Sequence, residues 1–338
     1  QNLLKKIGKN GLLFSLDKDH DVFKSLSTKL STDRRFKLEH GCFSDLEKYT
    51  KDTGVKFNLK TGKDGALIQS MIAESESSPA DILMTVDAGN LWFAKKSGLF
   101  SKVTDGKLIT NIPSHLKDND NYWFGLSIRA RTIVYHPERV KPNEIISYEN
   151  LATPKFKNKL CLRTSKKVYN QSLVSMLIFE LGKEKTKKIL TGWVKNNVKI
   201  FSSDTKLIKA IEAGQCDLGI VNTYYLGRLQ KENKNYPVKI FWPNQNSFGV
   251  HVNISGAGVT KTSKNKKEAV KFLEWLSSER AQSTFAKTNL EFPVLKSAKL
   301  GPVTSSWGKF KSNTTFQLTS AGELQGEAIK LMQEVGYK

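Results

Sequence analysis

The chain has 338 residues, 38% of them hydrophobic and 10% aromatic, which is enough to build two domains or one large domain. Its apolar runs, such as 218–221, have the length of core strands, so we expect no transmembrane segment. The formal net charge of +22 is typical of polyanion binders, but the lysines are scattered, arginines are few and no known nucleic-acid module accompanies them, so we expect no nucleic-acid partner.

Helix and strand patterns alternate along the first half of the chain from residue 44 onward. Before that point, only a strand start at 11–14 is visible. The predicted elements of this half are a helix over 45–51, a strand over 55–59, a helix over 64–76, a strand over 81–86, a turn over 87–89, a helix over 91–96, and strands over 123–128 and 132–135.

The second half continues the same alternation. Its predicted elements are a strand over 160–163, helices over 172–181, 183–196 and 206–213, strands over 217–222 and 238–242, and amphipathic helices over 268–277 and 323–335. This order predicts an α/β fold with mostly parallel sheets. Because no Pro/Gly/Ser linker divides the chain, we expect two halves joined by crossing strands, at 126–131 and 248–253, which could act as a hinge.

A pair of adjacent tyrosines follows directly after the predicted strand 217–222. Tyr224 and Tyr225 would then lie where ligands gather in open α/β sheets, at the carboxyl end of a strand. Deprotonated phenols are hard oxygen ligands that suit a hard trivalent cation. Taken alone, a Tyr-Tyr pair is more often simple packing.

Two further runs stand at comparable places in the pattern. Tyr169 lies between the strand 160–163 and a helix, although it could simply pack at the start of that helix. Arg129 and Arg131 point to the same side of a strand, where they could stabilise phenolates or hold an anion. On a surface the same arginines would be solvated charge.

The cysteines and histidines indicate neither a zinc site nor an enzyme. Cys161 and Cys216 have no CxxC spacing; a disulfide between their strands and two buried free thiols are both open. The five histidines are isolated from one another. No G-x-S-x-G, P-loop, H-E-x-x-H or G-x-G-x-x-G motif is present, so we do not expect catalysis.

Together with other segments, these runs resemble the ferric-iron-binding proteins of bacterial ABC importers, and are similar above all to their cyanobacterial Fut-type branch. The resemblance extends from about residue 44 to residue 338. The matching segments, in chain order, are Ser78-Pro79-Ala80-Asp81, Thr85-Val86-Asp87-Ala88-Gly89, Leu91-Trp92, Asn111-Ile112-Pro113, Tyr122-Trp123-Phe124-Gly125-Leu126-Ser127, Arg129-Ala130-Arg131, Tyr169-Asn170-Gln171-Ser172-Leu173, Asn222-Thr223-Tyr224-Tyr225, His251-Val252-Asn253-Ile254-Ser255-Gly256 and Ala281-Gln282.

The resemblance implies a two-lobed periplasmic-binding-protein fold of class II type that closes on one ferric ion in a cleft between its lobes. The N-terminal lobe would hold residues 1–127 and 251–302, and the C-terminal lobe residues 128–250 and 303–338. The implied metal ligands are Tyr169, Tyr224 and Tyr225. Arg129 and Arg228 would stand beside the iron, with water or a synergistic anion completing its shell.

The same resemblance implies a monomer in the periplasm, its signal peptide removed, that hands Fe³⁺ to an ABC permease. One feature departs from the family pattern, since many relatives supply another tyrosine from an N-terminal loop. Here Glu39 or His40 could fill that place. The alternatives are a protein of the same fold for an oxyanion or polyamine, and a basic binder of polyanions or membrane surfaces.

Overall fold

The structure is a computed structural model that describes residues 11–17, 49–104 and 106–338. The chain forms two compact units. Unit 1 comprises residues up to 127, together with 254–289 and 293–299. Unit 2 comprises residues 128–253, 290–292 and 300–338. The predicted limits of the two functional lobes stay a prediction.

Unit 1 contains parallel strands flanked by helices. Strand β1 lies between β2 and β3 and is parallel to both, and β3 pairs with β9 in the antiparallel sense. The strands are β1 Gly11–Asp17, β2 Lys56–Gly62, β3 Ile82–Val86 and β9 His251–Val259, and the helices are α1 Asp64–Glu74, α2 Ala88–Lys96, α3 Lys107–Asn111, α8 Lys266–Leu276 and α9 Glu279–Asn289.

Unit 2 contains a mixed set of strands. Strand β7 is parallel to β5 and antiparallel to β4, β5 is parallel to β6, and β8 pairs with β4 in the antiparallel sense. The strands are β4 Phe124–Tyr135, β5 Leu160–Arg163, β6 Lys199–Phe201, β7 Leu218–Asn222 and β8 Lys239–Phe241, and the helices are α4 Val168–Leu181, α5 Lys183–Lys195, α6 Asp204–Glu212, α7 Thr223–Glu232, α10 Pro302–Ser306, α11 Leu318–Glu323 and α12 Gln325–Glu334.

The α/β class predicted from the alternating pattern is confirmed. Strands β4 and β9 belong to both units, because the chain changes unit between Ser127 and Ile128 and again between Asn253 and Ile254. These strands also form the antiparallel pairings, so the sheets are more mixed than the sequence predicted.

Three boundaries differ from the sequence prediction for local physical reasons. Strand β4 is continuous where two strands were expected, and Arg129 and Arg131 lie inside it. Helix α2 begins at Ala88, not at residue 91, because the Asp87 carboxylate accepts a hydrogen bond from the Gly89 N–H and so caps the helix. Helix α4 begins four residues earlier than expected, directly after the extended Lys167, which places Tyr169 in its first turn.

The core of unit 2 packs around the helix that carries the tyrosine pair. Both rings of the pair are buried in a cluster with side chains of α6, β7 and the segment that precedes β8. Gly227 lets α7 approach its neighbours closely, since a Cβ there would lie 2.9 Å from the Trp307 ring and 3.0 Å from Leu290. The position of α7 is therefore fixed by packing on several sides.

None of the helices in the part of the chain that the structure describes is long and apolar enough to span a bilayer.

Candidate functional site

The topology of unit 2 brings the two tyrosine runs to one edge of its sheet. Strands β5 and β7 are parallel neighbours, with Leu160 opposite Leu218 and Cys161 opposite Gly219. Helix α4 follows β5 and helix α7 follows β7, so both helices begin at the carboxyl ends of their strands. Ligands of open α/β sheets bind at this edge. Tyr169 and the pair Tyr224–Tyr225 lie in the first turns of these helices.

The tyrosine pair is buried and closely packed. The ring centroids of Tyr224 and Tyr225 are 4.3 Å apart at an interplanar angle of 35°. The side chains are 3% and 1% exposed, whereas Tyr169 is half-buried. The Tyr224 hydroxyl accepts a hydrogen bond from Asn222 Nδ2 at 3.4 Å. Residues with this little exposure are ordered by the fold before any ligand arrives.

Arginines surround the three rings. The guanidinium carbon of Arg129 lies 5.6 Å from the Tyr169 centroid, and that of Arg228 lies 5.0 and 5.4 Å from the centroids of Tyr224 and Tyr225. Arg129 is buried, and its Nε stands 3.8 Å from Glu291 Oε1. Arg228 is half-buried. Positive charge at these distances favours the phenolate form of a tyrosine over the neutral phenol.

Arg131 has a different position from Arg129, although both lie on β4. Its guanidinium donates to Asn170 Oδ1 at 3.0 and 2.6 Å and to Asn222 Oδ1 at 3.1 Å. It also forms an ion pair with Asp204, Nη1 to Oδ2 at 3.2 Å. All four side chains are buried. Arg131 therefore binds together the chain segments next to the tyrosines.

Sequence reasoning missed Arg163 and Asp204 as site residues. Arg163 is the last residue of β5, and its guanidinium carbon lies 5.3 Å from the Tyr169 centroid and 5.8 Å from the Tyr225 centroid. Asp204 is the first residue of α6, and its Oδ2 is 3.7 Å from Arg163 Nη1. The signal for Arg163 was present, because it stands at the end of a correctly predicted strand. Nothing in the sequence indicated Asp204.

The structure brings together five of the seven residues proposed for the site. Tyr169, Tyr224, Tyr225, Arg129 and Arg228 lie around one edge of unit 2. Glu39 and His40 lie outside the described residues. Among the residues that are described, no group of three or more His, Cys, Asp or Glu side chains is placed to hold a metal ion.

Buried tyrosines elsewhere in unit 2 have a different role. Burial raises the pKa of Tyr148 and of Tyr337 far above the usual range of a phenol. Each hydroxyl donates to a backbone carbonyl, Tyr148 to that of Arg131 and Tyr337 to that of Arg163. These phenols are neutral hydrogen-bond donors and are not candidates for metal ligands.

The fold and the edge of phenols and guanidiniums define the class of a solute-binding protein. The chain belongs to the bacterial extracellular solute-binding protein family, whose family model matches residues 77–312. It is 43% identical over 302 residues to iron uptake protein A1 of a Synechocystis strain, covering 86% of this chain and 82% of that protein.

Solved structures show the same fold over nearly the whole chain. A Trichodesmium protein named IdiA or FutA, in complex with iron and citrate, is 37% identical with a TM-score of 0.85, covering 97% of this chain and 100% of that one. A ferric binding protein from Campylobacter jejuni is 30% identical with a TM-score of 0.84 and the same coverage. The resemblance seen in the sequence is confirmed, and with it the binding-protein fold.

Proposed function

We propose that this protein binds ferric iron through Tyr169, Tyr224 and Tyr225 and delivers it to an ABC permease. The observation that carries the proposal is the convergence of three phenols and three guanidiniums at one edge of unit 2. The names of relatives that cover nearly all of the chain, one of them solved with iron and citrate, support the choice of cargo. Fe³⁺ is a hard cation, for which anionic oxygen ligands are best suited.

The electrostatics indicate how phenolates would form at neutral pH. Ionising a phenol in water at pH 7 costs about 4 kcal/mol. The positive charge of the guanidiniums beside the rings offsets part of this cost, whereas burial of the rings adds to it. Glu291 and Asp204 reduce that offset, since each lies near one of the arginines. The arginines therefore lower the cost of ionisation, and the trivalent ion supplies the rest.

Binding in this scheme displaces phenolic protons, so ferric affinity falls as the pH is lowered. The remaining positive charge of Arg129, Arg163 and Arg228 suits an anion or water that completes the iron shell. Reduction to Fe²⁺ favours release, because the less charged ion gains less from phenolates. Any ligand from residues 18–48, such as Glu39 or His40, would be added to this set.

A periplasmic location is part of the proposal. The family consists of extracellular solute-binding proteins. Cys161 and Cys216 are joined by a disulfide, with Cα atoms 6.0 Å apart, and disulfides persist in oxidising compartments such as the periplasm. An extracytoplasmic iron-binding protein needs a membrane partner to move its cargo inward, and an ABC permease fits that need.

The deciding experiment is a ferric citrate titration of the metal-stripped protein, followed in the visible spectrum. We expect a tyrosinate-to-iron charge-transfer band that saturates at a one-to-one ratio. The band should vanish in a Tyr224→Phe/Tyr225→Phe variant. The matched control is Tyr236→Phe. Tyr236 is a buried tyrosine of the same core, and its hydroxyl donates a hydrogen bond to Glu212 at 2.6 Å. A wild-type protein without the band, or a double variant that keeps it, would contradict the proposal.

A second candidate function is capture of an oxyanion alone. The observation that favours it is the group of guanidiniums at the same edge, because arginine is well suited to bidentate binding of oxyanions. Calorimetry with citrate, phosphate and sulfate on metal-free protein distinguishes the two. Heat of binding without iron, unchanged in the double tyrosine variant, would favour the oxyanion function.

A further inference from the structure

Arg163 touches tyrosines from both runs of the candidate site. Its guanidinium carbon lies over the rings of Tyr169 and Tyr225, at 5.3 and 5.8 Å from their centroids. Its Nη1 donates to the Tyr225 hydroxyl oxygen at 3.4 Å. The side chain is 2% exposed, so these contacts are made inside the protein. A planar guanidinium can stack on one ring and donate to another group at once.

The backbone of Arg163 is held as firmly as its side chain. Its carbonyl accepts hydrogen bonds from Asn170 Nδ2 at 2.5 Å and from the Tyr337 hydroxyl at 2.8 Å. Asn170 directly follows Tyr169 on helix α4. The end of β5 and the start of α4 are therefore fixed to each other, and the guanidinium starts from a rigid base.

Asp204 contacts the guanidinium through Nη1, the same atom that donates to the Tyr225 hydroxyl. Its Oδ2 lies 3.7 Å from Arg163 Nη1 and 3.2 Å from Arg131 Nη1, and it also accepts the Asn222 N–H at 3.1 Å. Its side chain is fully buried. The buried carboxylate shared by Arg131 and Arg163 neutralises one of their two positive charges. It also links the end of β7 to the arginine that contacts Tyr225.

We propose that Arg163, oriented by Asp204, is a positioning residue that sets the orientation of Tyr225 relative to Tyr169. The inference rests on the proposed ferric function and adds a residue to it. Tyr169 and Tyr225 come from helices α4 and α7, and Arg163 lies between them in contact with both. Iron chelation by the two phenols depends on their mutual geometry, and small displacements of ligands weaken a metal site strongly.

A purely structural role for Arg163 is the competing explanation, since a buried ion pair that loses one partner destabilises the fold. The two roles separate in a lysine variant. Arg163→Lys keeps a cation for Asp204, but an ammonium cannot stack on one ring while donating to a second. The positioning role therefore predicts altered iron binding in a protein of unchanged stability. The structural role predicts no change in iron binding.

The experiment compares Arg163→Lys and Arg163→Gln with Arg139→Gln as the matched control. Arg139 is another arginine of unit 2 that forms an ion pair, Nε to Asp217 Oδ1 at 3.0 Å, and its other described contacts are backbone carbonyls of Ile211 and Cys216. Each protein is titrated with ferric citrate against a competing chelator. The readouts are the position and intensity of the charge-transfer band, the ferric affinity and the melting temperature.

We expect Arg163→Lys to melt like the wild type and Arg139→Gln to bind iron like the wild type. We expect ferric affinity to fall roughly 10-fold to 100-fold in Arg163→Gln, and by a smaller factor with a displaced band in Arg163→Lys. If Arg163→Gln does not fold, the lysine variant decides alone. A wild-type band and affinity in folded Arg163→Lys, or an equal loss in Arg139→Gln, overturns this inference and leaves the proposed function intact. A wild-type protein without a band overturns both.

Discussion

His251 is a buried base that the fold keeps neutral. It is 1% exposed and lies near the guanidinium of Arg131. Its Nε2 stands 3.1 Å from the Ser172 hydroxyl, which itself accepts a hydrogen bond from Asn253 Nδ2 at 2.6 Å. The Ser172 hydroxyl therefore connects the imidazole of His251 with the side-chain amide of Asn253. Burial first, and the charge of Arg131 second, lower the pKa of His251 to about 3.

This histidine makes the metal-free protein less stable in acid. The unfolded chain takes up a proton on His251 near pH 6.5, but the folded chain does so only near pH 3. Between these values the unfolded state binds more protons, so the free energy of unfolding decreases as the pH falls, by up to ~1.4 kcal/mol per pH unit. Above pH 6.5 the contribution is constant. Melting temperatures measured from pH 7 to pH 4 test this prediction.

The comparison protein for this prediction is His251→Gln, whose amide can still meet the Ser172 hydroxyl. We expect the variant to be less stable than the wild type at pH 7, because a glutamine side chain does not match the shape of the imidazole that the packed core surrounds. The difference in stability between the wild type and the variant should decrease steadily toward pH 4, since only the wild type loses the contribution of the neutral histidine. Carboxylates titrate in both proteins and cancel in the difference. If the melting temperatures of the two proteins fell in parallel with pH, the lowered pKa of His251 would be contradicted.

At this residue scale the sequence predicted the tyrosines better than their neighbours. Tyr169, Tyr224 and Tyr225 could be placed because each follows a strand, and parallel strands bring their carboxyl ends to one edge. The pairing of Arg163 with Asp204 could not be predicted, since these residues are distant in sequence and no periodicity relates them. The identity of Tyr169, Tyr224 and Tyr225 as metal ligands stays a prediction until iron binding is measured.

At the scale of elements, a disulfide fastens strand β5 to the segment that leads into β7. Cys161 lies in β5, and Cys216 lies two residues before β7, 55 residues along the chain. Both cysteines are buried. The bond lies toward the amino end of β7, while the tyrosines follow its carboxyl end. It therefore fastens the two strands that support the candidate site at the ends opposite those that carry the tyrosines.

Removing the disulfide should lower stability and spare iron binding. A bond that closes a loop of this length restricts the unfolded chain by about 4 kcal/mol in the chain-entropy model, and measured losses are typically 2–5 kcal/mol. We expect a Cys161→Ala/Cys216→Ala variant to unfold at lower denaturant concentration and to keep the ferric charge-transfer band. Both the variant and its reference protein carry Cys42→Ser, so that they lack the remaining free cysteine and differ only at the two positions of the disulfide.

Two results would contradict that prediction. An unchanged unfolding midpoint would show that the bond adds nothing to the stability of unit 2. Loss of the iron band at a temperature where the variant is fully folded would show that the strands shift at their carboxyl ends when the bond is absent.

The elements predicted best from sequence are those with clear periodicity. Strands β3, β5 and β7 and helices α1, α5 and α6 lie within two or three residues of their predicted bounds. The short strand β6 and the helices α3, α7, α9, α10 and α11 were not predicted. Three residues are too few for a period to show, and α10 has only five. Whether Cys161 and Cys216 would bond also stayed open, because four residues of β5 do not specify which strand lies beside them.

At the scale of the whole molecule, most of the positive charge is carried by residues away from the candidate site, and its exposure differs from that of the site arginines. The formal net charge is +22, from 54 Lys and Arg against 32 Asp and Glu. Lysines with large exposed fractions occur in both units, for example Lys261 in unit 1 and Lys155 in unit 2. The arginines Arg129 and Arg163 beside the tyrosines are buried. Salt screens exposed charges strongly and buried charges weakly.

This contrast predicts two different salt dependences for one protein. Ferric affinity should change little between low and moderate concentrations of a weakly coordinating salt, because the Tyr224–Tyr225 pair and the neighbouring arginines Arg129 and Arg163 are buried. Binding to a polyanion such as single-stranded DNA, if measurable at low salt, should weaken steeply, since it depends on counterion release by surface lysines. Parallel titrations with ferric citrate and with a labelled oligonucleotide, at matched ionic strengths, give both slopes. Retention of DNA binding at moderate salt, with no ferric band, would identify the molecule as a polyanion binder. A ferric affinity that is independent of salt, beside a DNA affinity that falls steeply with salt, would show that the surface charge takes no part in iron capture.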